Sequence, residues 1–174
     1  MISTTVVGAD ALRARLARMT EATQKLEPAL LRSGLVALKA AQQRINSGGP
    51  GWAPNASATP LLHQTGRLLA SLTVGSSDGV SHVSGSEIVV GTNLKYARWL
   101  QDGTGIFGPT GTPITPKNGQ FLVFTIGGAK IFARSVKGME KRPFLFIDEK
   151  IATTVRRIFA KHIIGDAIAE VPTS

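Results

Sequence analysis

The sequence predicts a single α+β domain: an antiparallel sheet packed by helices, with a long N-terminal helical arm and a C-terminal helix. Three observations carry that prediction. Apolar residues recur at three- and four-residue steps in the first 46 positions and again near the C-terminal end. Short β-type runs separated by glycine-rich turns lie between them. At 174 residues, 43% of them hydrophobic, the chain has the length of about one domain, and it holds no internal repeat or second core. The expected layout is a helical arm over 1–46, a Gly/Pro loop over 47–60, an α+β core over 61–164 and a short acidic tail over 165–174.

Asp10 is placed to cap a first helix. Leu12, Leu16, Met19, Thr23, Leu26 and Leu30 then form an amphipathic stripe. Pro28 lacks a backbone donor and clashes with the preceding turn, so a kink or break is expected near Glu27. The stripe resumes through Gly34, Leu38, Ala41 and Ile45, with Arg13, Arg18, Arg32, Lys39 and Arg44 mainly off it. Residues 47–60 hold three glycines and three prolines, which excludes a regular element. Trp52 within them packs on the chain's own core or anchors in a neighbouring subunit.

Residues 65–72 read as a short helical turn leading into a strand. Strands are expected at 80–84 and 87–92, one or two helical turns at 93–101 ended by Asp102-Gly103, and loop from 104 to 119. Residues 120–126 and 130–136 flank Gly127-Gly128-Ala129, the strongest hairpin signal in the chain. With turn chemistry at 75–79 and 85–86, the strands up to residue 92 predict an antiparallel meander. Phe121, Leu122, Val123, Phe124 and Ile126 run almost without polar interruption, which predicts a strand covered on both faces. The last helix carries Ile147, Ile151, Val155, Ile158 and His162 at helical spacing, opens near Asp148-Glu149 and is capped by Gly165.

Twenty Lys+Arg against eleven Asp+Glu give a net charge of +9 and a pI near 10.5. The excess is spread along the chain. Such a field attracts nucleic acid or acidic protein surfaces non-specifically, or simply keeps the protein in solution. No apolar run approaches the roughly 20 residues that span a bilayer, and the N-terminal end lacks signal-peptide regions. A soluble protein made in a cytoplasm, with no membrane partner, is expected.

Catalytic chemistry needs converging nucleophiles, acids, bases or metal ligands. Cysteine is absent, and His63, His82 and His162 lie at no metal-ligand spacing from one another. His162 reads as a satisfied helix-end histidine, the other two as surface residues. The glycine-rich stretches 103–105 and 108–111 lack the Lys-Ser/Thr of a phosphate loop. The expectation is no enzyme, no metal and no cofactor. Zinc-finger, zipper and aromatic RNA-binding patterns are also missing, so any DNA contact is expected to be non-specific and salt-dependent.

Three segments occur in order: Leu62-His63-Gln64-Thr65-Gly66-Arg67-Leu68 with Ser71-Leu72; Val90-Gly91-Thr92-Asn93-Leu94-Lys95-Tyr96-Ala97-Arg98-Trp99-Leu100-Gln101-Asp102-Gly103; and Lys141-Arg142-Pro143-Phe144-Leu145-Phe146. Together they resemble the phage virion morphogenesis and tail-completion family, whose pattern is a Thr-Gly-x-Leu-x-x-Ser turn, a Gly-x-x-x-x-Tyr-Ala segment ending in a residue–Gly pair, and an Arg-Pro-Phe-Leu close. The resemblance covers residues 50–164, and the chain departs from the family's frequent His or Glu at Gln101-Asp102. Gly66 and Gly103 can end helical turns in left-handed backbone. Tyr96 and Trp99, three apart, are expected to share one helix face and cover the sheet.

The resemblance implies a structural virion protein, assembled in the host cytoplasm and located at the head–tail junction of a tailed phage. Its partners are expected to be copies of itself in a cyclic ring, sixfold to match a tail tube, together with the tail tube and head-connector or neck proteins. Contact residues for subunits or neck are then sought at Trp52, Arg67, Tyr96, Trp99, Phe107, Arg142 and Phe144. Charge facing packaged DNA is sought at Arg13, Arg18, Lys117, Lys130 and Arg134. The competing readings are a tail terminator that caps the tube and a basic DNA-binding accessory protein.

Overall fold

Pro28 divides the N-terminal arm into two helices, at the place the sequence predicts. In the computed structural model, which describes residues 9–52, 66–126 and 128–165, helix α1 (Ala9–Gln24) ends before it and α2 (Glu27–Ser47) begins around it. Proline occupies the second position of α2, in the first turn, where its missing N–H leaves no helical bond unmade. Then follow α3 (Arg67–Ser71), strands β1 (Gly79–Ser84) and β2 (Glu87–Thr92), α4 (Lys95–Asp102), a 3-10 turn over Gly105–Phe107, strands β3 (Leu122–Ile126) and β4 (Ala129–Ala133), and α5 (Glu149–Ile164). The chain is an α+β protein.

The strand expected directly after α3 does not form, since residues 72–78 make turns and bends before β1, and the predicted meander is reduced to one hairpin. Among the described residues β1 pairs with β2 and β3 with β4, as two separate two-stranded sheets. The connection from β2 to β3 holds α4 and a loop with Pro109, Pro113 and Pro116, whose missing donors interrupt any ladder.

Two compact units are distinguished. The first comprises Met1–Ala37, Ser81–Val89 and Ile147–Ser174; the second comprises Leu38–Val80 and Val90–Phe146. In the first, α1 packs against α5. His162 of α5 places Nε2 at 3.2 Å from the Ala22 carbonyl and 2.7 Å from that of Lys25. It thereby meets carbonyls at and just past the C-terminal end of α1, of which that of Ala22 also accepts from the Lys25 N–H at 3.3 Å. Helix α5 is capped at its start by Asp148, whose side chain accepts from the Ile151 N–H at 2.8 Å. It stops at Gly165, φ 73°, a backbone angle that glycine adopts at no steric cost. The apolar stripe of α1 is real, but the chain does not bury it: no residue of α1 is buried, and Leu12 and Leu16 are exposed.

In the second unit the same periodicity finds its partners. Leu38, Ala41 and Ile45 of α2 close on Leu68 and Leu72 around α3, on Leu94, Ala97 and Leu100 around α4, and on Phe144. These small and branched side chains meet at van der Waals distance, which is where folding free energy concentrates. Loop 104–119 is partly held by this unit. Thr104 N–H donates to the Met139 carbonyl at 2.9 Å and Ile106 N–H to that of Lys137 at 2.8 Å, and Ile114 bridges Val136. Gly105 (φ +64°) and Gly138 (φ +96°) sit face to face there, and a Cβ on either would run into the other segment's backbone.

Candidate functional site

The second and third segments of the family-like pattern meet in the second unit. The Gln101 side chain behaves as a short piece of strand edge. Its Oε1 accepts from the N–H groups of Phe144 and Leu145, both at 3.1 Å, and its Nε2 donates to the Leu145 carbonyl at 3.1 Å. Arg142 N–H donates to the Leu100 carbonyl at 2.6 Å. Arg44 completes the clamp from α2: its Nη1 donates to the carbonyls of Phe144 at 3.2 Å and Phe146 at 2.8 Å. Its guanidinium carbon lies 3.6 Å from the centre of the Phe146 ring, within cation–π range. Gln42 does the same for α3, donating to the carbonyls of Leu69 and Leu72 and to Thr73 Oγ1.

Phe144 is 2% exposed and Arg142 is buried, so neither is a surface contact residue in the described fold. Each is held inside by the bonds just given and by the core around Phe144. Trp52 packs against that core, the first of its two sequence readings. Gly49 lies so close that a Cβ there would strike the indole. Tyr96 and Trp99 do not share a role: Tyr96 packs on the core, whereas Trp99 is 56% exposed. The 100° step per residue puts them about 60° apart on the same flank of the apolar face centred on Ala97 and Leu100, Tyr96 nearer to that face and Trp99 farther round toward solvent. Arg67 is exposed but engaged, with Nε and Nη2 donating to the two Asp78 oxygens at 2.7 and 3.0 Å. This hydrogen-bonded pairing, reinforced by charge, holds the Asp78 carboxyl below its ordinary value and lifts that of Arg67. Phe107 is half-exposed beside Gln101, Pro109, Lys141 and Pro143 in a shallow cleft.

Gly103 follows α4 with φ 77°, as expected. Gly66 takes φ 63° but precedes α3 rather than ending a turn. Residues 62–65 of the first segment, and His63 with them, lie outside the described residues, as do the tail residues 166–174. His82 is on the surface.

Of the charges assigned to DNA, Arg13 and Arg18 are exposed on α1. Arg13 pairs with Asp10 at 3.3 Å, and Arg18 lines a groove of about 330 Å³ with Arg15, Met19 and His162. Lys117, Lys130 and Arg134 are exposed in the second unit. Lys130 lies on the β3–β4 ribbon and Arg134 directly after it, and this ribbon overturns the expectation of a strand covered on both faces. Val123 and Phe132 form a cross-strand pair and are 59% and 63% exposed. Only the alternate residues Leu122, Phe124, Ile131 and Ala133 are half-buried. The strand alternates in burial although it does not alternate in polarity.

The sequence reasoning missed Gln42 and Arg44 and set Arg44 off the apolar stripe. Its spacing from Ala37 and Ala41, seven and three residues, is the signal that places it on the buried face. Among the described residues no three His, Cys, Asp or Glu side chains come together as a metal site. No described helix is long and apolar enough to cross a membrane. Comparison of the chain with protein-family models, with curated proteins and with solved structures gives no match.

Proposed function

We propose that the protein is a structural component of a tailed-phage virion, acting in tail completion at the head–tail junction as a ring of identical subunits. The observation that carries this reading is the joining of two family-like segments. Residues 91–103 and 142–146 are bonded through the Gln101 side chain and the Arg142 N–H, so their shared occurrence in one sequence has a physical reason. Gln101, where the chain departs from the family's pattern, supplies both a donor and an acceptor to the Phe144–Leu145 backbone.

A second feature favours assembly. Leu12 and Leu16 on α1, and Leu31 and Leu35 on α2, are exposed pairs at four-residue spacing, each an apolar strip on one helix face of the kind that meets a protein partner. A heterologous contact that closes on itself generates a ring. Sixfold closure, contact with tube and connector proteins, and residence in the virion belong to this proposal. Deleting the gene from the phage or prophage that encodes it is expected to leave filled heads and finished tails unjoined. Tails of uncontrolled length would point to the terminator reading, and normal infectious particles would refute both.

A further inference from the structure

We propose that the outward face of the β3–β4 ribbon is a binding site for single-stranded nucleic acid. Strand alternation puts Lys130 and Phe132 on one face of β4, and Arg134 follows directly after the strand. The pairing sets Thr125 opposite Lys130 and Val123 opposite Phe132, and Arg134 lies over Phe121 with its guanidinium carbon 5.9 Å from the ring centre. All six side chains are exposed. The face is therefore an array of cation, aromatic ring and aliphatic contact running about 13 Å along the strand.

Charge selects the occupant. Residues 103–139 contain Lys117, Lys130, Arg134 and Lys137 and no Asp or Glu, so nothing in this stretch neutralises the ribbon. A second copy presenting the same face would set like charges together, which disfavours self-pairing. A polyanion removes that cost, and the phenylalanine rings narrow the choice further. In a duplex the base faces are covered by their neighbours and a phenyl ring has nothing to stack on. In a single strand each base has a free π-face, and phosphates recur beside it for Lys and Arg. This inference is independent of the virion reading, and either can fail alone.

Fluorescence anisotropy of the full chain with a labelled oligothymidylate tests it, because Phe132 is exposed enough to change without loss of fold. Phe132→Ala and Phe132→Leu are both expected to weaken binding by roughly tenfold, the usual effect of losing one stacked base, while Phe132→Trp preserves it. The double variant Lys130→Gln/Arg134→Gln is expected to flatten the dependence of log affinity on log salt by about 0.7 for each phosphate contact removed. Wild-type affinity in Phe132→Leu would overturn the proposal, since apolar area alone would then suffice. Equal affinity for a duplex of the same length or for polyglutamate would overturn it as well, as would the absence of saturable binding at low salt.

Discussion

The nucleus around Phe144 and the β3–β4 ribbon are built from similar side chains and treat them in opposite ways. In the nucleus, apolar residues from α2, α3 and α4 close over one phenylalanine, and polar side chains tie the backbone that carries it. On the ribbon, Phe121, Val123 and Phe132 stand in solvent between cations. Hydrophobicity alone does not separate the two. The difference is the supply of partners: the nucleus draws on three helices, whereas a lone two-stranded ribbon can cover only one of its faces. The nucleus therefore answers for the fold and the ribbon for contact with something else.

The comparison breaks first at Phe144. Phe144→Ala is expected to destabilise the protein by about 3–5 kcal/mol, the usual cost of emptying a phenylalanine site in a core, measured by urea unfolding. A loss below 1 kcal/mol would mean the segment 142–146 is not part of the nucleus. Next comes Gln101→Ala. It strips partners from the Phe144 and Leu145 N–H groups and the Leu145 carbonyl, and is expected to cost about 1–3 kcal/mol. Gly105→Ala should cost a similar ~1–3 kcal/mol, because φ +64° strains an alanine and its Cβ meets the Lys137 carbonyl.

Much of this organisation is legible in the sequence. The Pro28 break, the positions of β1 to β4, the α4–Gly103 stop and the α5 caps follow from local rules that need no tertiary knowledge, whereas the strand those rules suggest after Leu72 does not form. What escapes is the identity of the partners. The stripes of α1 and α2 look alike, yet only α2 buries its own. Phe144 and Trp99 are both large aromatics in family-like segments, and only position in the assembled nucleus hides one and exposes the other. Gln42, Arg44 and Gln101 serve backbone 27 to 102 residues away, and no local pattern announces such contacts. Among the candidate contact residues, Trp99 and Phe107 remain on the surface, while Arg142 and Phe144 belong to the interior.

Smaller effects sharpen the contrast. The Asp78 carboxyl is held below its ordinary value near 3.8, first by the Arg67 hydrogen bond. A depressed carboxylate stabilises the fold above its unfolded value, and that stability is lost as pH falls through the folded value. Melting temperature should therefore drop on acidification below about pH 4, and Asp78→Asn should remove part of that drop. The pair is solvent-exposed, so the effect is small. Phe132→Ala should leave unfolding unchanged within about 0.5 kcal/mol, as an exposed position does. A larger loss would show that the ribbon face is covered in solution by the chain itself.

The proposal that these parts serve a virion ring is tested most directly by native mass spectrometry of the full chain with and without purified tail tubes. A closed oligomer at six times the chain mass, formed alone or on the tubes, is the predicted result. A protein that stays monomeric under both conditions and is absent from purified particles would contradict it.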